Sequence, residues 1–498
     1  MKERKKHIFA PEGQPSACKL RRVSVAALAS LILSACVNPE TGLDQNSSLT
    51  SSWVRPEDPQ ESIGKKEHPI VIAKYGGIYS NAEVERLVAV IVGKLVSVSD
   101  DPSRVFKVTL LNSPKVNAFA LPGGYLYITR GLLALANDSS EVAAVLAHEM
   151  AHVSSNHAIV RKERLEGAAI GERVANQVLE GNTAGQFAVA ANKLRLAAFS
   201  QDQELQADTI GIRMIGNAGY DPYAAERFLK TMDAYRSFLS GDNSFDDAEN
   251  FASSHPSTPR RIELARRHAR FFGAPGIGSR ESERYFEGIN GMMFGDAPDE
   301  GFVRGRVFSH AGLGVTFTAP SGFQIDNQSK AVLVSGPNDL ATRFDATVVS
   351  TRTSLKDYLR SGWITGLVEE TIREEPLNGL ETASATARGD GWRFKVRVIR
   401  NESQVFRFIT AAPQTNTNLD AVSRQITGSF RTLSKREIAE LKPLTIRVIT
   451  ARAGDSQTRL ASRMQGTNKQ LELFRLLNGL SPNDTISPGA KLKIVSNR

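Results

Sequence analysis

Apolar positions at helical spacing and alternating apolar runs predict the first ordered part of this chain. Ser80-Asn81-Ala82-Glu83 has the form of a capping box, and apolar residues follow at helical spacing over 87–95. Strand-like runs occupy 105–111, 116–121 and 125–129, and the last two are separated by a Pro-Gly-Gly turn. The pattern therefore predicts a helix, a strand and a β-hairpin in that order.

A second capping-box sequence, Asp138-Ser139-Ser140-Glu141, begins the helix that carries the most informative motif. That helix runs through the pentapeptide 148–152, which has the pattern HExxH. Residues four apart share one helix face, so His148 and His152 can bind one zinc ion between them. Glu149 can then take a proton from a water on the metal as that water attacks an amide carbonyl.

A zinc hydrolase needs a third protein ligand and keeps the fourth position for water. The two cysteines, Cys18 and Cys36, both lie near the N-terminus, which excludes a disulfide scaffold, a zinc finger and a cysteine hydrolase. The third ligand must therefore be a downstream His, Asp or Glu. His157 lies about 140° round a helix from His152, so it is predicted to point away as a surface or packing histidine.

Glu204 and Asp208 are the better candidates, because they stand one turn apart in a helical segment that Gly219 closes. One carboxylate can bind zinc while the other accepts a hydrogen bond from the far nitrogen of a ligating histidine. An acidic pair at this spacing is usually a solvated helix face. Following HExxH, it is interpreted as part of the metal site.

Four ordered blocks within about residues 70 to 272 resemble the HtpX and CAAX-protease type of zinc metallopeptidases. They are NAFALPGGYLYITRGLL (117–133), HEMAHVSSNHA (148–158), ELQAD with NAGYDP (204–222) and HPSTPRRIE (255–263). More closely, they resemble its periplasmic branch of outer-membrane quality-control proteases.

This resemblance implies a gluzincin-type metalloendopeptidase with one zinc per chain. It makes His148, His152 and Glu204 the metal ligands, Glu149 the general base and Asp208 a supporting catalytic residue, in agreement with the assignments from spacing.

The resemblance also implies a substrate-binding strand at Asn117, Ala118 and Phe119. An extended polypeptide would add there through main-chain hydrogen bonds, which favours unfolded or misassembled envelope polypeptides as partners. His255 is implied to lie near the zinc, and three roles stay open for it. It donates a hydrogen bond to the oxyanion, or occupies the fourth zinc position at rest, or packs against the next helix.

The N-terminus has the pattern of an export signal. Basic residues precede an apolar run, Val23 to Leu33, that is too short to span a bilayer, and the run ends in Leu-Ser-Ala-Cys36. This resembles a lipoprotein box, so residues 1–35 are predicted to be a signal peptide and 36–66 a tether lipidated at Cys36 on the outer membrane. A plain secretory signal is the alternative. Of the net charge of +9, the signal carries +5, so no nucleic-acid partner is expected.

Beyond the peptidase region the sequence predicts a linker at 275–302 and an α+β domain of unknown role at 303–435. Residues 444–496 resemble a lysin motif (LysM), a βααβ module that binds N-acetylglucosamine-containing glycans such as peptidoglycan. Gln457 departs from that motif, where an aliphatic residue is usual. Deleting 440–498 is expected to leave proteolysis nearly intact.

The predicted fold class is α+β and multidomain, with a mainly helical zinc peptidase domain at 67–274 that contains a small sheet. A helical hairpin is expected within 166–199. The predicted activity is zinc-dependent hydrolysis of peptide bonds in misfolded or misassembled envelope proteins. Two alternatives are a non-catalytic envelope chaperone or scaffold bound to peptidoglycan, and peptidoglycan hydrolysis.

Overall fold

The structure is a computed structural model that describes residues 59–161, 199–240, 251–389, 391–467 and 469–497. The predicted signal peptide, Cys36 and nearly all of the predicted helical hairpin lie outside these ranges. Among the helices of the described residues, none is long and apolar enough to cross a membrane. The architecture is mixed α+β, with a helical region around a small sheet followed by larger sheets.

The predicted hairpin and its neighbouring strand form a small three-stranded sheet. The elements of this part are α1 (Pro59–Lys74), α2 (Ala82–Ser97), β1 (Lys107–Leu111), β2 (Ala118–Leu121) and β3 (Tyr125–Thr129). β3 is central, parallel to β1 and antiparallel to β2, so the hairpin is confirmed and β2 is an edge strand. The predicted capping box would make Ser80 the cap of α2, but the cap is Asn81, one residue later, whose side chain accepts hydrogen bonds from the amides of Glu83 and Val84.

Within the described residues, six helices follow. They are α3 (Arg130–Leu135), α4 (Ser139–Ser154), α5 (Gln201–Asn217), α6 (Ala224–Ser240), α7 (Phe251–Ser254) and α8 (Pro259–Ala269). Asp138 begins α4 as predicted, since its side chain accepts a hydrogen bond of 2.9 Å from the amide of Glu141. Residues 139–153 of α4 are all buried. The HExxH helix is therefore the centre of this region rather than an amphipathic surface helix.

The segment predicted as a linker, 275–302, contains α9 (Ser282–Ile289) and β4 (Met293–Phe294). The buried Arg130 guanidinium donates hydrogen bonds to the carbonyl oxygens of Met293 (3.0 Å) and Gly295 (3.1 Å). These bonds hold the segment against the peptidase region.

A β-rich region occupies most of the chain between that segment and residue 440. Its strands are β5 (Phe302–Arg304), β6 (Val307–His310), β7 (Val315–Thr318), β8 (Gln324–Gln328), β9 (Ala331–Ser335), β10 (Ala341–Val348), β11 (Leu367–Glu374), β12 (Glu381–Gly389), β13 (Trp392–Asn401), β14 (Gln404–Pro413) and β15 (Arg431–Thr432). Its helices are α10 (Leu355–Arg360), α11 (Leu419–Gly428) and α12 (Lys435–Glu440). Seven of the strands form one antiparallel sheet in the order β11-β12-β13-β14-β10-β9-β8, and β15-β7-β6-β5 form another.

The two faces of the seven-stranded sheet are both covered. Neighbouring residues of a strand point to opposite faces. On β14, Val405 accordingly packs in a cluster with α10, whereas Phe406 packs in a second cluster with α11. The alternation of side chains along the strands therefore accounts for the two clusters, one on each face of the sheet. The sequence of this region contains no motif that we recognise as a chemical site.

The C-terminal elements follow in the order strand, helix, helix, strand. They are β16 (Leu444–Thr450), α13 (Gln457–Ala461), α14 (Gln470–Asn478) and β17 (Lys491–Ser496). β16 pairs with β17 on one side and with β4 on the other. Phe474 and Val495 belong to the same hydrophobic cluster as Val142 and Leu146 of the HExxH helix. This shared core argues against the expected freely removable module.

Candidate metal centre

Helix α4 presents the three residues of the HExxH motif together. His148, Glu149 and His152 are all at least nine-tenths buried. The Nε2 atoms of the two histidines lie 3.0 Å apart, because a separation of four residues places them on one face of the helix. The motif thus forms one compact donor set.

Helix α5 brings Glu204 onto these histidines. Its Oε2 atom lies 3.4 Å from His148 Nε2, and its Oε1 atom lies 3.4 Å from His152 Nε2. This close approach depends on Gly211, which lies two turns after Glu204 on the same face of the helix. A Cβ at that position would lie only 3.2 Å from the backbone nitrogen of His148. A larger residue at that position would separate the two helices that carry the site.

His255, which follows α7, completes the cluster. Its Nδ1 atom lies 2.9 Å from Glu204 Oε1 and 3.3 Å from His148 Nε2, while its Nε2 atom lies 3.5 Å from Glu149 Oε1. Donor atoms of His148, His152, Glu204 and His255 all lie within 4.8 Å of one another. The structure therefore brings together the two histidines and the glutamate that are predicted to bind metal, together with His255.

Asp208 and Arg261 support the cluster from behind. Asp208 Oδ1 lies 3.0 Å from His148 Nδ1, the ring nitrogen that faces away from the cluster. Arg261 donates to both oxygens of Asp208, at 2.7 and 2.8 Å, and its Nη1 atom lies 2.7 Å from Glu204 Oε2. The family resemblance places Arg261 in the same block as His255, but its sequence position gives no sign that it reaches two carboxylates of another helix.

Two effects determine the pKa values of the site. Burial disfavours the charged form of each group, whereas a nearby group of opposite charge favours it. Burial would lower the pKa of His148, but Asp208 and Glu204 raise it to about 10. Burial lowers the pKa of His152 to about 2. Burial would raise the pKa of Asp208 and of Glu204, yet Arg261 holds that of Asp208 at about 2, and the nearby histidines lower that of Glu204. Both carboxylates are thus ionised at neutral pH.

The residues present fit a zinc ion. Among the described residues, Glu149 Oε1 is buried without a hydrogen-bond partner, which is costly for a carboxylate oxygen, whereas Glu204 Oε2 forms an ion pair of 2.7 Å with Arg261 Nη1. The other oxygen of Glu204, Oε1, faces ring nitrogens of His152 and His255, and two imidazoles with one carboxylate and no thiolate form a typical ligand set of catalytic zinc. Burial raises the pKa of Glu149, whose position beside the cluster suits proton transfer.

The prediction that His157 points away from His152 is wrong. His157 is buried, and its Nδ1 atom lies 2.8 Å from Nδ1 of His152. α4 ends at Ser154, and Asn156 adopts a left-handed conformation with φ of 54°. The 140° argument assumed a continuous helix, and this turn redirects the chain. A helix-ending asparagine was the available sequence signal.

A cleft of about 310 Å³ opens in front of the cluster. Asn117 and Phe119 line it, together with Glu149, Phe199 and His255. Ala118, which was grouped with Asn117 and Phe119, instead has its side chain in the hydrophobic core. The side-chain amide of Asn117 donates to the Tyr75 hydroxyl at 3.0 Å, and the ring of Phe119 stacks on that of Tyr127 at 4.9 Å.

Fold and site together define a zinc metallopeptidase domain, in which two histidines and a glutamate meet beside a buried glutamate. Residues 79–269 match the model of Peptidase family M48, and this segment contains every residue of the cluster. The segment is thus similar to M48 metallopeptidases, and zinc is the metal that its donor set implies.

Three relatives illustrate the distance to known proteins. A segment of this chain is 28% identical over 209 residues to the mitochondrial metalloendopeptidase OMA1 of Schizosaccharomyces pombe, covering 41% of this chain and 59% of that protein. Its identity to the Arabidopsis thaliana protein of the same name is 33%, over 32% of this chain and 30% of that protein. Its identity to the beta-barrel assembly-enhancing protease of Yersinia pestis is 28%, over 35% and 37%. The chain spans less than two thirds of each relative.

Proposed function

We propose that this protein is an exported zinc metalloendopeptidase that hydrolyses peptide bonds in misfolded or misassembled cell-envelope proteins. The observation that carries the proposal is the buried cluster of His148, His152, Glu204 and His255 beside Glu149, at the base of a cleft with an edge strand. The relatives, which are named as a mitochondrial metalloendopeptidase and a β-barrel assembly-enhancing protease, support the quality-control role.

In this proposal His148, His152 and Glu204 hold the metal. When bound, zinc acts as a Lewis acid that polarises the scissile carbonyl and lowers the pKa of water towards about 7. Asp208 accepts the hydrogen bond from His148 Nδ1, which leaves the Nε2 lone pair of His148 for the metal. Asp208 is therefore a positioning residue, because it acts through His148.

Glu149 is the proposed general base. It is buried at the cleft wall, and its Oε1 atom has no hydrogen-bond partner among the described residues. Its raised pKa favours both halves of the task, which are to accept a proton from the attacking water and to return it to the leaving amine. A glutamine would keep the shape of the side chain and lose the proton transfer.

Of the three roles open to His255, its position favours the fourth metal position at rest. Its Nδ1 atom lies among the donor atoms of the cluster, and the ring of Phe251 stacks on it at 4.7 Å. A histidine in that position would exclude water until it moves. Donation to the oxyanion stays open through Nε2, whereas packing alone does not account for a contact of 2.9 Å with Glu204.

Substrate is proposed to bind along β2. The strand lies at the edge of its sheet and borders the cleft, so an extended polypeptide can add to it through main-chain hydrogen bonds. Such pairing reads backbone more than side chain, which suits unfolded polypeptides of varied sequence. The side chains of Asn117 and Phe119 would contact the added strand.

The location and further partners are also part of the proposal. A signal peptide at 1–35 and lipidation at Cys36 would hold the protein at the outer membrane. The C-terminal LysM-like segment, 444–496, would bind peptidoglycan. Gln457, which departs from the motif, is buried and donates to the carbonyl oxygens of Ser481 (2.9 Å) and Asp484 (2.6 Å). Where the motif usually has an apolar contact, these hydrogen bonds hold the loop at 481–484 in place.

The deciding experiment measures zinc content together with cleavage of unfolded casein and of purified peptidoglycan by mature protein. One bound zinc, casein cleavage that a chelator abolishes and no sugar-chain cleavage are expected. A zinc-loaded protein that prevents aggregation of casein without cutting it would instead identify a chaperone. Release of muropeptides would identify a peptidoglycan hydrolase.

A further inference from the structure

His157 connects the two helices that carry the metal ligands. Its Nδ1 atom lies 2.8 Å from Nδ1 of His152, and its Nε2 atom lies 3.2 Å from Oε1 of Gln206. His152 lies on α4, whereas Gln206 lies on α5 two residues after the ligand Glu204. These contacts form a relay that runs from Nδ1 of His152 through His157 to the helix that carries Glu204.

The backbone holds His157 in this position. The left-handed residue Asn156 turns the chain back after the end of α4. The side chain of Gln203 then donates a hydrogen bond of 3.5 Å to the carbonyl oxygen of His157. Gln203 is itself fixed by the capping box it forms with Ser200 at the start of α5. The turn after the end of α4 and the capped start of α5 therefore fix the position of His157.

One arrangement of protons satisfies every atom of the relay. If His152 is to offer its Nε2 lone pair to a metal, its proton must be on Nδ1, which then donates to Nδ1 of His157. The proton of His157 must then be on Nε2, where it donates to the amide oxygen of Gln206. A doubly protonated His157 would set two N–H groups against each other at 2.8 Å.

We propose that His157 is a positioning residue of the zinc site, which holds His152 in the tautomer that binds metal through Nε2 and couples this ligand to Gln206. The inference rests on the proposed function, and it assigns each ligand histidine its own support. His148 is supported by the charged Asp208, whereas His152 is supported by a neutral ring. Partners of this kind typically contribute about 10-fold to 100-fold to metal affinity.

The test compares variants of the full mature protein by zinc competition with a chromophoric chelator and by the absorption spectrum of the Co²⁺-substituted protein. His157→Phe fills similar space without an acceptor, and His157→Asn can place Oδ1 where Nδ1 stands. His157→Phe should lower zinc affinity about 10-fold to 100-fold and shift the Co²⁺ bands. His157→Asn should stay within a few-fold of wild type. Gln201→Ala, on the exposed start of α5, is the matched control for Gln206→Ala.

Each outcome bears on the proposal. Wild-type affinity and an unchanged Co²⁺ spectrum in His157→Phe would overturn it, and so would equal losses in the Phe and Asn variants, which would indicate packing alone. If His157→Phe does not fold, Gln206→Ala decides, since it should weaken zinc binding while Gln201→Ala does not. A wild type that binds zinc without cleaving casein refutes the proposed function alone. A wild type that binds no zinc refutes both.

Discussion

Lys493 Nζ donates a hydrogen bond of 2.8 Å to the carbonyl oxygen of Ala134, although 359 residues separate the two in sequence. The same ammonium group also donates to the carbonyl oxygens of Leu135 and Ala136, at 3.3 and 2.5 Å. Those carbonyls end α3 immediately before the cap of the HExxH helix, where a cation is electrostatically favoured. A fully buried side chain of β17 thus completes the surroundings of the catalytic helix.

Replacing Lys493 should therefore destabilise the peptidase domain. Lys493→Met would leave three buried carbonyl groups without this donor, at a cost of about 2 to 4 kcal/mol in the free energy of unfolding. Urea unfolding followed by far-UV circular dichroism measures this change, with Lys442→Met as an exposed control. Equal stability of the two variants would show that the contact does not matter.

The same residue predicts a pH dependence of stability. Burial lowers the pKa of Lys493 to about 7, against the opposing influence of Glu141 and Asp138. Between about pH 7 and 10.5 the unfolded chain then binds more protons than the folded chain, so the free energy of unfolding contributed by Lys493 rises with pH. The stability difference between wild type and Lys493→Met should grow over this window. A constant difference from pH 7 to 10 would contradict the prediction.

Deletion of residues 440–498 should abolish the folded peptidase rather than spare it. The truncation removes β16, β17 and the apolar side chains that share a core with α4. Loss of casein cleavage together with protease sensitivity of the truncated chain is expected. A truncated protein that stays folded and active would restore the picture of an independent module.

Glu149→Gln should keep its zinc and lose proteolysis, because Glu149 is adjacent to the donor set and is not one of its ligands. Loss of a general base typically lowers turnover by about 10²-fold to 10⁴-fold. Metal analysis and casein cleavage measure the two properties on one preparation. Glu263→Gln, on an exposed position of α8, is the control. Loss of zinc from Glu149→Gln would make the carboxylate a ligand instead.

His255→Ala should raise basal cleavage if His255 occupies the fourth metal position at rest. The sign of the change separates the roles, since loss of an oxyanion donor would lower turnover by about 10²-fold or more. Initial rates on casein, at matched zinc occupancy, decide between them. His310→Ala in β6 controls for the loss of a histidine elsewhere. Unchanged rates with a lower melting temperature would leave only the packing role.

Most of the site's first layer could be predicted from sequence, because it is encoded in local spacing. The turn of four residues between His148 and His152, the cap at Asp138 and the pair at Glu204 and Asp208 each need only one helix to be interpreted. His255 came from family resemblance alone, since no local rule connects it to α4.

The supporting layer could not be predicted in this way. Arg261 reaches α5 only because tertiary packing places α8 beside it, and His157 contacts His152 only because Asn156 breaks the helix. The strands β11 and β12 also escaped prediction, because they alternate weakly and carry many polar residues. Contacts between distant segments depend on packing that no single window of sequence contains.

The long separation between Lys493 and Ala134 also bears on the order of folding. Closing a loop of this length costs more chain entropy than closing the short turn between β2 and β3, and contacts of high sequence separation slow folding. The helix that carries the HExxH motif can form early, but the hydrophobic core against which it packs is complete only when the strand at 491–496 has docked. Before that strand is in place, the apolar side chains around the HExxH helix would be exposed to water. The incompletely folded chain would then resemble the misfolded proteins that it is proposed to cleave.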